Sequence, residues 1–237
     1  MAIVETSSAD AAACRSCAAP LTGQPAFCPA CGKVQAPGPA DYFSLFQLPR
    51  RLEIDLPALE AMFYRYSRKL HPDLHARATE EEQQWSTAQA SLLNNAYRCL
   101  KDPVERTKYL LRLEGAPLEE DQAADGGRVN PSKAPADLLE EVFELNLQLE
   151  ELRANRKLGE DDPFLRRDLE QSKTHFVAQL EAVDRELRSL WSAWDEAEER
   201  GDEAGKTGAK RDLAALLHRR TYLGNLVRDV NETLGDL

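Results

Sequence analysis

The chain predicts a mainly α fold: a helical hairpin, then an antiparallel three-helix bundle, preceded by a small zinc-ribbon-like module at the N-terminus. Three observations predict it. From Asp55 onward, apolar residues recur at steps of three and four, in stretches opened by capping residues and closed by proline or glycine. Four of the five cysteines form two Cys-x-x-Cys pairs near the N-terminus. The 237 residues are 42% hydrophobic and 30% charged, the composition of a helix-rich globular protein.

Cys14-x-x-Cys17 and Cys28-x-x-Cys31 are separated by ten residues, the two-knuckle spacing of a tetracysteine zinc site. Ala18 and Gly32 follow the pairs with small side chains that let backbone N–H groups approach the sulfurs. One structural zinc ion held by Cys14, Cys17, Cys28 and Cys31 is the simplest reading, since a polar segment of this size hardly folds without a metal. Two disulfides are the alternative, suited to a secreted protein. Iron or an iron–sulfur cluster could also occupy four thiolates. The module spans residues 1–38, and Ala36-Pro37-Gly38-Pro39-Ala40 reads as a short stiff linker behind it. Cys99 falls on an apolar stripe and reads as a buried small hydrophobe.

The hairpin occupies residues 41–115. Asp55 is a good N-cap, with Pro57 in the first turn, for a helix running to Leu70. Leu59, Met62, Phe63, Tyr66 and Leu70 form its apolar face; Arg65, Arg68 and Lys69 form a neighbouring basic one. Pro72 disfavours helix at His71, which leaves His71 and Asp73 in an exposed turn. Thr79 and Glu82 make a capping box for the next helix. Its expected stripe is Trp85, Ala88, Leu92, Ala96 and Cys99, packing antiparallel on the first. The bland reading is a helix stop, a turn aspartate and a solvated basic face.

The flanks of His71-Pro72-Asp73 resemble a known family. Asp41-Tyr42-Phe43-Ser44-Leu45-Phe46, the basic helix into the tripeptide, Asn95-Ala96-Tyr97, Leu100, Asp102-Pro103, Arg106 and Tyr109-Leu110-Leu111 together are similar to the J-domain of the Hsc20/HscB family. These are co-chaperones of iron–sulfur cluster biogenesis. The resemblance runs from about residue 41 to 237, weakening toward the C-terminus. It implies a partner Hsp70, engaged by Arg65, Arg68, Lys69, His71, Pro72 and Asp73. An N-terminal tetracysteine module also resembles that of some Hsc20 relatives.

Residues 116–135, with Gly126, Gly127, Pro131 and Pro135, read as a linker to a bundle over 136–237. Three seams define the bundle. Leu138, Val142, Leu145, Leu149 and Leu152 make the first; Phe176, Leu180, Val183, Leu187, Leu190 and Trp194 the second; Leu213, Leu216, Leu223, Val227, Val230 and Leu234 the third. Gly201, Gly205 and Gly208 are expected in the tight return between the last two helices. The first helix carries a surplus stripe, Leu139, Phe143 and Leu147, rotated well away from its seam and edged by Glu140 and Glu144. That stripe either docks a partner or packs on the hairpin or on a second copy of the chain.

The resemblance implies that this helix binds an iron–sulfur cluster scaffold protein through Leu139, Phe143, Glu144 and Leu147, with Tyr222 in the same patch. Glu140 stands where the family commonly has an apolar residue, and Leu147 where it has an acidic one. The implied function is stimulation of the Hsp70 ATPase together with delivery of the scaffold. A general J-domain co-chaperone carrying unfolded clients would share the tripeptide.

Charge limits the other classes. Residues 41–115 balance 11 acidic against 11 basic side chains, whereas 136–237 carry 24 against 15. So acidic a bundle argues against nucleic acid and for protein partners. No apolar stretch approaches a membrane span and the N-terminus lacks an export pattern, so the expected compartment is the cytoplasm. Four cysteine ligands leave no open coordination position, and no nucleophile–base pair is evident, so no enzyme is expected. His75, His175 and His218 read as surface residues.

Overall fold

The computed structural model describes residues 13–21, 25–38, 41–116, 134–160 and 162–235. Gly126, Gly127 and Pro131 of the expected linker, with Pro39 and Ala40 of the earlier one, lie outside them. The described residues divide into two compact units, one reaching to Tyr109 and one starting at Leu110. The cysteine module and the hairpin as far as Tyr109 therefore belong to one unit.

In the first unit the module is two matching turns. Ala18 N–H donates to Cys14 O (2.8 Å) and Gly32 N–H to Cys28 O (2.9 Å), while Cys14 and Cys28 N–H donate to Ala19 O and Lys33 O. Ala18 and Gly32 both have positive φ, +55° and +72°. Backbone handedness, more than small size, is thus what these positions require, and glycine meets it without strain. One isolated bridge follows each turn's pattern, Ala13 with Pro20 and Phe27 with Val34.

The hairpin follows. Helix α1 (Tyr42–Leu45) is capped by Asp41, which accepts from Ser44 N–H and pairs with Arg50 at 2.8 Å. Helix α2 (Leu56–Lys69) starts at N-cap Asp55, as the sequence predicts. A short helix α3 (Pro72–His75) then precedes α4 (Glu80–Lys101), whose Thr79–Glu82 capping box is complete. Helix α5 (Pro103–Leu113) closes the segment. Helices α2 and α4 pack together, and the ends of the motif meet: Tyr42 N–H donates to Tyr109 Oη (2.9 Å) and the two rings stack at 4.4 Å. That contact gives the Asp-Tyr-Phe opening and the Tyr-Leu-Leu ending a shared structural role. Arg106, buried, donates to the carbonyls of Leu52 and Leu100 and satisfies two backbone acceptors in the core.

The buried face of α4 is not the expected one. Ser86, Gln89, Leu93, Ala96 and Leu100 are buried, whereas Ala88 is exposed and Trp85, Leu92 and Cys99 are half-buried. The face is shifted by one residue because its polar members find partners: Ser86 Oγ donates to Leu70 O (3.0 Å) and Gln89 Nε2 to Gln35 O (3.2 Å).

The second unit is the antiparallel three-helix bundle. A 3-10 turn (Ala136–Leu138) leads into α6 (Leu139–Leu158), then α7 (Pro163–Arg200) and α8 (Glu203–Leu234). Helix α6 packs on both others, and α7 pairs with α8 along most of its length. The whole first seam is buried. In the second, Phe176, Val183, Leu187 and Trp194 are buried and Leu180 and Leu190 half-buried. In the third, Leu217 and Leu226 take the inner positions expected of Leu216 and Val227. Helix α7 also begins earlier than its seam, capped by Asp162 and burying Leu165 and Leu169.

Gly201, at φ +64°, ends α7 and Asp202 caps α8, so the return is shorter than the three glycines suggested. Gly205 and Gly208 lie inside α8; Gly205 N–H donates to Asp202 Oδ1 (2.9 Å), which fixes the cap. Buried Asp229 of α8 pairs with Arg153 of α6, which also donates to Thr233 Oγ1 (3.0 Å). This pairing spares the bundle an isolated buried charge.

Candidate functional site

Three surfaces carry the candidate residues that the sequence singles out. In the first, the sulfurs of Cys14, Cys17, Cys28 and Cys31 all lie within 4.8 Å of one another, with Cys14 and Cys28 buried and Cys17 and Cys31 exposed. Four sulfurs at the corners of a tetrahedron around one ion, each about 2.3 Å from it, stand ~3.8 Å apart. Cys14–Cys31 and Cys17–Cys28 are each separated by 3.7 Å, so the donor set fits a single metal ion. No disulfide forms among these cysteines.

The neighbouring sulfurs shift one another's ionisation. Burial opposes a Cys14 thiolate, but backbone N–H groups of Cys17 and Ser16 and the neighbouring thiols outweigh it and draw Cys14 down to about 6. At Cys17 the Ala19 N–H favours the thiolate, yet the Cys31 sulfur, burial and the other two sulfurs push it up to about 12. Cys14 thus favours the thiolate and Cys17 the thiol, and a bound cation would favour the thiolate form of each ligand sulfur.

The second surface is the tripeptide and its basic flank. His71 is the N-cap of α3, its Nδ1 accepting from Asp73 N–H (3.3 Å), and it lies 3.4 Å from the Asp73 carboxylate. The exposed turn that the sequence predicts is thus a capped helical one. Both side chains remain exposed, 60% for His71 and 87% for Asp73. Arg65, Arg68 and Lys69 are exposed on the preceding helix, with the Arg65 guanidinium 5.3 Å from the Tyr66 ring centroid. His75 is half-buried, its Nε2 2.9 Å from Lys69 O, and so ties α3 back to the end of α2.

The third surface is the outer face of α6. Leu139, Phe143 and Leu147 are 48%, 66% and 59% exposed, beside exposed Glu140 and Glu144. The surplus stripe thus faces away from the bundle core. Tyr222 does not join it as an exposed contact: it is 5% exposed on α8, and burial pushes its phenol up to about 12. Its aromatic bulk is committed to the bundle, which the motif alone could not reveal. His175 is exposed beside Glu141 and Gln179.

Sequence reasoning missed the residues that seat the cysteine module. Gln35 Nε2 donates toward Cys14 Sγ (3.5 Å), while Gln35 O accepts from Gln89 of α4; both glutamines are buried. Phe27 also went unmarked, although its ring lies 6.3 Å from that of Tyr66. Local periodicity carries no signal for such long-range contacts.

No protein-family model matches the chain. Two mammalian proteins named "Iron-sulfur cluster co-chaperone protein HscB" match it at 30% identity: that of Mus musculus over 145 residues, 61% of this chain and 58% of the relative, and that of Homo sapiens over 141 residues, 59% and 57%. The "Co-chaperone protein HscB homolog" of Chromobacterium violaceum is 33% identical over 115 residues, 48% of this chain and 61% of the relative. The crystal structure of human HscB superposes with a TM-score of 0.66 at 23% identity, covering 95% of this chain and 100% of that one.

The chain is similar to HscB co-chaperones in both sequence and fold. HscB from Vibrio cholerae aligns at a TM-score of 0.55 and 23% identity, over 83% of this chain and 99% of that one. The sequence matches span less than two thirds of each curated HscB relative. No described helix is long and apolar enough to cross a membrane.

Proposed function

We propose that the protein is a co-chaperone of iron–sulfur cluster assembly, which stimulates the ATPase of a partner Hsp70 and brings an iron–sulfur scaffold protein to it. The observation that carries this reading is the exposed His71–Asp73 turn with Arg65, Arg68 and Lys69 on the helix leading into it, in a chain similar to HscB. The basic residues steer the J-domain, residues 41–115, onto an acidic surface of the Hsp70. His71, Pro72 and Asp73 then favour the hydrolysis-competent conformation by binding it better than its alternative, so the chain accelerates hydrolysis without performing chemistry of its own.

The bundle, residues 136–237, supplies the second arm. Leu139, Phe143 and Leu147 offer an apolar patch, with Glu144 at its edge, to the scaffold. Holding the scaffold on the molecule that triggers the Hsp70 raises the client's effective concentration there. The compartment in this reading is the cytoplasm, where unpaired cysteines persist. Purified protein should raise the ATPase rate of the Hsp70, at a half-maximal concentration that climbs with salt. An unchanged rate at saturating protein would contradict the reading.

The tetracysteine site holds zinc in this account, as a structural ion: four thiolates fill its coordination shell and leave no position for a substrate. Elemental analysis should find one zinc per chain, lost in Cys28→Ser along with protection of the module from proteolysis. Stoichiometric iron in the purified protein, or an unaltered digestion pattern in the metal-free variant, would overturn this assignment.

A further inference from the structure

The cysteine module lies against the J-domain beside its basic face. Gln89 of α4 holds Gln35 O in a buried hydrogen bond, Arg15 pairs with Glu81 (2.7 Å) and stacks over Trp85 (5.2 Å), and Lys33 pairs with Glu82 (2.8 Å). The Lys33 contact depresses the Glu82 carboxyl below its ordinary value. These contacts fix the module across the start of α4. On the α2 side, Phe27, the residue before Cys28, tilts against Tyr66, and the Lys69 ammonium lies 5.6 Å from the Phe27 ring centroid.

Lys69 is exposed, so its ammonium remains open to a partner while the ring contact restricts its flexible stem. A lysine already restrained gives up less rotamer freedom when it docks. We infer that Phe27 is a positioning residue for Lys69, which makes the tetracysteine module part of the surface the Hsp70 reads. This rests on the Hsp70 reading of the basic face, and it adds a role for the module beyond folding. Because Gln89, Arg15 and Lys33 anchor the module elsewhere, removing the Phe27 ring leaves the module seated and its metal bound.

The test compares wild type, Phe27→Ala, Phe27→Tyr, Lys69→Ala and the Phe27→Ala, Lys69→Ala double variant in stimulation of the Hsp70 ATPase, with metal content measured on each. A cation–ring contact at an exposed site corresponds to a roughly two- to fivefold change in affinity. Phe27→Ala should raise the half-maximal concentration by that factor, with maximal stimulation and bound metal unchanged. Phe27→Tyr, which keeps a ring face, should restore the wild-type value. The double variant should be no weaker than Lys69→Ala, since both substitutions remove one interaction.

An unchanged or lowered half-maximal concentration for Phe27→Ala, or additive effects in the double variant, would overturn the role of Phe27 while leaving the Hsp70 reading standing. A reduced maximum or lost metal would assign Phe27 to folding instead, and so would overturn it too. Absence of stimulation by wild type would remove both readings together.

Discussion

His71→Gln should reduce Hsp70 ATPase stimulation to the basal rate at every concentration while leaving scaffold binding intact. The side chain is exposed and its polar contacts in the turn are to Asp73, two residues away. Helix α3, which it caps, is four residues long, so little folding free energy depends on it. Glutamine keeps the length and polarity of the side chain but not the imidazole. The loss should therefore appear as a missing activity in a folded protein, with an unchanged melting temperature and unchanged zinc. Equal loss of stimulation and scaffold binding in a well-folded variant would contradict the division of the chain into two arms.

The Leu139→Ser, Phe143→Ser double variant should behave in the opposite way. Both side chains stand out from α6, whose core side is already filled by Val142, Leu145, Leu149 and Leu152. Their removal leaves the bundle intact and takes away the apolar centre of the proposed patch. Buried anchors of this kind contribute about 2 kcal/mol or more to an interface, so Kd for the scaffold should rise roughly thirtyfold or beyond. Calorimetry on the scaffold measures this directly, and basal ATPase stimulation serves as the control. Undiminished scaffold binding would move the docking site off α6.

Much of the fold was legible because α2, α6 and the turn at Thr79 obey local rules. Asp55 and Thr79 cap as their side chains require, and every member of the first bundle seam is buried. The inward face of α4 was not legible in the same way. Ser86 and Gln89 look like surface residues until Leu70 O and Gln35 O are found opposite them. Gly205 and Gly208 suggested a loop, yet Asp202 caps the helix early enough to draw both inside it. The start of α7 was signalled by Asp162-Pro163, a cap and a first-turn proline, but the seam drew attention only from Phe176 onward.

For the candidate sites, the four clustered cysteines and the α6 stripe set apart from its seam were visible in spacing, because both depend on residues close in sequence, whereas the exposure of that stripe was not. Tyr222 could not: whether an aromatic on an outer helix is buried depends on all three helices together. Phe27 joins Lys69 across 42 positions of the chain, and nothing in either segment announces the other.

The central claim is that one molecule presents client and trigger together. Its most direct test is the scaffold-dependent part of the Hsp70 ATPase rate, measured with wild type and with an equimolar mixture of His71→Gln and Leu139→Ser, Phe143→Ser proteins. The mixture contains both working arms, but on separate chains. The account predicts that wild type shows a scaffold-dependent increase and the mixture does not. Full recovery in the mixture would show that the arms act independently, and that tethering has no part in the mechanism.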